Sequence, residues 1–149
     1  MKKIIFSFAV LIFIVFSFYF AQTNNSLKIS GVKIAGQEIK VDLAITKMEH
    51  NRGLSGRTNL KEDEGMLFVF ETPGEYGFWM KDMFFPIDII WITEVSGNMK
   101  VVYIKKDARP ESYPEVYNPD QPAKYILEVV SGFSEKNNLK VGDKVEFLY

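Results

Sequence analysis

Apolar and polar residues begin to alternate at position 32, and the alternation comes in short blocks. Val32 and Ile34 flank Lys33; beyond Ala35-Gly36-Gln37, residues Ile39, Val41, Leu43 and Ile45 alternate with Lys40, Asp42 and Ala44. Period two interrupted by a glycine turn predicts a β-hairpin with one buried face. MLFVF at 66–70 is apolar throughout and bounded by turn residues, which predicts a strand buried on both faces. Residues 78–81, 87–93, 99–105, 125–130 and 144–148 predict further strands. Thr46-Lys47-Met48-Glu49 has the form of a capping box, so a short helix starts there and ends at the glycines 53 and 56. Residues 131–139 suit a second short helix. The sum is a mainly β fold, barrel-like or sandwich-like, of about eight strands with two short helices.

Before this pattern stands something different. Lys2 and Lys3 precede an apolar run over 4–20 relieved only by Ser7 and Ser17. A basic start followed by such a run has the form of an export signal, and the run is also just long enough to cross a bilayer as a helix. Residues 1–21 are therefore expected to be a signal peptide or an N-terminal membrane anchor outside the fold. Tyr19, two residues before Ala21, is bulky for a cleavage site, so both forms stay open. Residues 22–26, QTNNS, read as a polar linker, and 27–149 as one globular domain. The expected location is exported, either membrane-anchored or periplasmic or extracellular.

Composition narrows the chemistry. The chain has no cysteine, which excludes disulfides, thiolate metal sites and a cysteine nucleophile. Its single histidine, His50, cannot build a zinc site alone and reads as solvent-exposed. No metal and no cofactor is expected. The 18 basic residues, less Lys2 and Lys3, leave 16 against 19 acidic ones, with no basic stripe, so nucleic acid is not an expected partner.

The informative residues are ionisable groups placed in apolar stretches. Asp88 lies in PIDIIWI and shares a strand face with Ile90 and Ile92; Glu128 lies in YILEVV and shares one with Ile126 and Val130. A buried carboxylate must meet a cation, accept several hydrogen bonds or stay protonated. The expected cations for Asp88 are Lys81, Arg52 and Arg57. Arg52 and Arg57, with Gly53 and Gly56 between them, can also grip an anion. Asp88 and Glu128 form the one plausible carboxylate pair for acid–base work. For each of these residues a purely structural role stands beside the ligand-facing one. Trp79, Trp91, Tyr76, Tyr113 and Tyr117 can stack on flat ligands, though Trp91, like Phe68, is expected in the core. Tyr113 and Tyr117 lie in the proline-rich stretch 107–122, whose length without regular structure suits a lid.

NRGLSGRTNL, GMLFVF, FWMKDMFFPIDIIWI and YILEVVSG followed by VGDKV, in this order, resemble the bacterial and archaeal family called domain of unknown function 192, from about Val41 to Phe147. The matching pattern is Arg52-Gly53-Leu54, Arg57, Gly65-Met66-Leu67-Phe68, Phe78-Trp79-Met80, Pro86 with Asp88, and Leu127-Glu128. Ser55-Gly56 and Asp82-Met83 depart from it. The resemblance implies a compact, mostly β fold and frequent export or anchoring, and it carries no activity. The leading expectation is thus an extracytoplasmic domain binding a small acidic or sugar-like ligand through Arg52, Arg57, Trp79, Lys81, Asp88 and Glu128. The alternatives are a hydrolase or lyase working through Asp88 and Glu128, and a passive cell-surface interaction domain.

Overall fold

A computed structural model of the protein describes residues 28–149. Seven strands form one sheet: β1 (Gly31–Ile34), β2 (Gln37–Ala44), β3 (Glu64–Gly74), β4 (Ile87–Val95), β5 (Asn98–Ala108), β6 (Ala123–Val130) and β7 (Val145–Leu148). Their spatial order is β5-β4-β6-β3-β2-β1-β7. Every pairing is antiparallel except β2 with β3. That parallel pair needs a crossover, and residues 45–63 provide it. The crossover carries the first helix, α1 (Lys47–Arg52); a second, α2 (Phe133–Lys136), follows β6. The sheet curls into a half-barrel until its two ends meet: Val101 N–H donates to the Asp143 carbonyl at 2.9 Å and Gly142 N–H to the Val101 carbonyl at 2.8 Å.

Alternation along the strands sorts the apolar residues into two cores. The concave interior takes Val32, Ile39, Leu67, Ile90, Leu127 and Val145, which come from both ends of the sheet and can meet only inside the curl. The convex face of β3, β4 and β6 takes Met66, Phe68, Ile87, Ile89, Trp91 and Ile126. It is covered by loops, which contribute Leu54, Met80, Met83 and Tyr117. Central strands covered on both faces read as continuous apolar runs, as MLFVF does.

The fold class is the expected mainly β one with two short helices. The eighth strand expected at 78–81 is absent. Phe78 makes a single bridge with Tyr117, and the chain then turns at Asp82, whose φ is 54°. Strand β4 already has β5 and β6 on its two sides, so the 78–81 segment has no free sheet edge to join. It crosses the convex face instead. No helix among the described residues is long and apolar enough to cross a membrane. Residues 1–21, where the signal or anchor is expected, lie outside the described residues.

Candidate functional site

The crossover after β2 folds locally for reasons visible in its sequence. Thr46 Oγ1 accepts from the Glu49 N–H at 3.3 Å, and the Glu49 carboxylate accepts from the Thr46 and Ile45 N–H groups at 2.7 and 2.9 Å. This is the expected capping box, and these backbone bonds hold the Glu49 carboxyl below its ordinary pKa. Gly53 ends the helix at φ 50° and ψ −136°, a conformation open in practice only to glycine. A Cβ there would lie 3.2 Å from Phe68 Cζ and 4.0 Å from Glu128 Oε2. Gly53 therefore lets the backbone pass directly over Glu128.

Two short bonds zip this segment to the next loop. Ser55 Oγ donates to the Lys81 carbonyl at 2.9 Å, and Gly56 N–H donates to the Asp82 carbonyl at 3.0 Å. The two places where the chain departs from the family pattern thus meet in space. Together the loops wall a cavity of about 220 Å³ on the convex face. Its aromatic lining is Phe68, Phe70, Tyr76, Phe78 and Trp79; its polar lining includes His50, Arg52, Ser55 and Glu128. A second depression, of about 380 Å³, lies across Arg52, Gly53 and Ser55 and contains Arg57 and Asp42.

Glu128 is the unusual group. It is 5 % exposed, and its Oε2 has no hydrogen-bond partner among the described residues. Burial pushes its carboxyl up to about 8, and the positive charge of Arg57 only partly opposes this. At neutral pH it is an uncharged acid. Arg57 does not neutralise it by contact, because its guanidinium is held by Asp42 at 2.7 Å.

Asp88 has a different fate. It lies opposite Val129 in the ladder while Glu128 lies opposite Ile89, and alternation sends the two carboxylates to opposite faces of the sheet. They cannot form an acid–base pair. Nor does Asp88 meet Lys81, Arg52 or Arg57, as the sequence led us to expect. It accepts from three backbone N–H groups instead: Asp107 at 2.9 Å, Ser134 at 2.8 Å and Gly132 at 3.3 Å. Asp107, at φ 48°, sits where the β4–β5 register shifts, and Gly132 and Ser134 open α2. Asp88 is the tie that holds these segments together, a structural solution to burying a carboxylate.

The other expected site residues divide. Arg52 and Trp79 line the cavity, and Trp79 is 51 % exposed. Lys81 is exposed, and only its carbonyl takes part in the wall. Trp91 is in the core, with its indole N–H donating to the Tyr76 carbonyl at 3.0 Å. Tyr117 is buried, exchanges two backbone hydrogen bonds with Phe78 and lies under Lys105, whose Nζ is 4.3 Å from the ring centre. Tyr113 is exposed and is not part of the cavity lining.

His50 is the residue that sequence reasoning missed. It is half-buried rather than exposed, and its Nε2 lies 3.0 Å from the Ala44 carbonyl and 3.2 Å from that of Val69. Both partners are acceptors, so Nε2 carries a hydrogen. The ring packs 4.3 Å from Phe70, which itself stacks on Tyr76 at 3.6 Å. One signal was available: His50 follows Glu49 on a helix whose register turns it back toward β3.

Comparison with known proteins agrees with this architecture. The model of the DUF192 family, described as an uncharacterized ACR, matches residues 30–147. A crystal structure of a protein of unknown function from Novosphingobium aromaticivorans is 31 % identical with a TM-score of 0.73, covering 83 % of this chain and 88 % of that one. Another, of a protein named as a candidate transcription regulator from Sinorhizobium meliloti, is 27 % identical with a TM-score of 0.70 and covers 78 % of this chain and 90 % of that one. No curated protein matches.

Proposed function

This chain belongs to the DUF192 family, and we propose that it serves as an extracytoplasmic domain that binds a small ligand in the cavity under Gly53. The observation that carries the reading is Glu128. A fold gains nothing from an uncharged carboxyl whose Oε2 lacks a partner on an otherwise apolar sheet face, and such groups gather at functional sites. The aromatic lining and the few convergent polar groups have the character of a ligand pocket, and its volume suits a small molecule. The extracytoplasmic part of the proposal draws on the basic and apolar start of the sequence. The acidic balance of residues beyond Lys3 favours a small ligand over nucleic acid, so we do not extend the regulator description of the Sinorhizobium meliloti protein to this chain.

An acid–base enzyme built on Asp88 and Glu128 loses its second carboxylate to the far side of the sheet. The interaction-domain alternative draws on Met48 and Phe84, which are 79 % and 67 % exposed. A thermal-shift screen of small polar and aromatic compounds against the full-length chain separates the two. We expect a compound that stabilises the parent and leaves Glu128→Gln unmoved. If every stabilising compound acts equally on parent and variant, the cavity is not the site.

A further inference from the structure

Among the polar groups that line the cavity, two offer lone pairs to a ligand, while Arg52 brings donors. Glu128 brings a carboxyl whose Oε2 has no partner among the described residues, and the Ser55 hydroxyl hydrogen is already given to the Lys81 carbonyl, leaving lone pairs. The walls are ring systems, and the face of an aromatic ring is the negative end of its quadrupole. Lone pairs and ring faces together favour a cation. The protein does not supply one by contact: Arg57 is engaged by Asp42, and Arg52 forms no ion pair among the described residues. The ladder neighbours of Glu128, Met66 and Ile89, are uncharged, as are Met80 and Met83 from the covering loop.

We propose that the cavity accepts a compact organic ammonium, its cationic head held between the aromatic walls and the carboxylate of Glu128. This rests on the pocket reading above and narrows it to one class of ligand. Recognition of ammonium heads by rings and a carboxylate is a known use of this chemistry. The step is a proton exchange. Glu128 enters it as the neutral acid, the ammonium takes the place of the missing counter-ion, and the proton leaves to solvent; no covalent bond other than O–H is broken. An anionic ligand would turn instead to Arg52 and to the O–H of the neutral Glu128, and its binding would release no proton.

The test uses tetramethylammonium chloride on the full-length chain in nonionic detergent, with sodium chloride, sodium acetate and glucose as controls. Binding is followed by thermal shift and by intrinsic fluorescence, and proton uptake or release by pH-stat near pH 6.5. We expect tetramethylammonium to raise Tm, perturb Trp79 fluorescence and release a proton per site, and we expect Glu128→Gln to lose all three responses. Trp79→Ala, changed at the exposed mouth, should weaken binding about three- to tenfold. Binding of tetramethylammonium that releases no proton, or that persists in Glu128→Gln, overturns the ammonium assignment. Acetate or glucose acting in a Glu128-dependent manner overturns it too, while leaving the pocket reading intact. If no probe changes Trp79 fluorescence or Tm, both readings fall.

Discussion

Replacing Glu128 by glutamine should make the protein more stable, by an amount that depends on pH. The ordinary carboxyl value is 4.5 and the folded one about 8. Between these values the native chain keeps a proton that the unfolded chain has lost. Stability conferred by the neutral acid is thus fully present below about pH 4.5 and is lost as pH rises through about 8. Each pH unit in this window costs about 1.4 kcal/mol, so the parent forgoes about 3 kcal/mol at pH 7 and about 5 kcal/mol by pH 9. Glutamine has the same shape and no charge to bury. The variant should therefore unfold about 10 °C higher than the parent at pH 7, given a few degrees per kcal/mol for a domain of this size. At pH 4 the two should agree. Urea denaturation of both proteins from pH 4 to 9 gives the curves directly. A parent whose stability stays flat from pH 5 to 8, or a glutamine variant that is less stable at pH 7, would refute the argument that Glu128 is buried uncompensated.

Four further outcomes follow from the geometry. Asp88→Asn removes the charge from an acceptor of three backbone N–H groups and places an amide donor among donors, so it should cost about 3 kcal/mol by urea denaturation; a change within about 0.5 kcal/mol would mean the tie is not needed. Gly53→Ala meets both a positive φ and the Phe68 ring at 3.2 Å and should lose about 1–3 kcal/mol together with any ligand response, as measured by thermal melts with and without probe. Arg57→Gln breaks an exposed ion pair and should alter stability by less than about 1 kcal/mol. The same variant should raise the Glu128 titration midpoint, read from its carboxyl carbon shift by NMR, because the opposing positive charge is gone.

Much of the fold was legible because one physical rule, burial of alternate side chains, governs most of it. The hairpin at 32–45, the apolar run at 66–70 and the capping box at Thr46 each appear where the sequence places them. The same rule failed at 78–81, where Phe78 and Met80 pack against the convex core without joining a ladder beyond one bridge; periodicity records that a residue is buried, not what it is buried by. The site was half legible. Glu128 stood out as a carboxylate on an apolar face, and the structure buries it, with the Gly53 backbone passing over it. The partners of Asp88 were not legible, because they are backbone N–H groups brought up by a register shift and a helix start, and no side-chain pattern encodes them. His50 was missed for a related reason: its partners are the carbonyls of Ala44 and Val69.

The separation of the two cores has a practical consequence. The concave core draws on every strand and touches none of the aromatic residues of the cavity, whereas the convex core is where the two covering loops meet the sheet. Specification of the scaffold and specification of the pocket are thus largely carried by different residues of the same strands, odd positions of β6 for one and even positions for the other. Loops grafted across residues 46–60 and 76–86, provided they keep the glycine over Glu128, would re-tailor the cavity on an unchanged frame. The curled sheet thus offers engineering a frame whose surface cavity can be redrawn without touching the interior that holds it together.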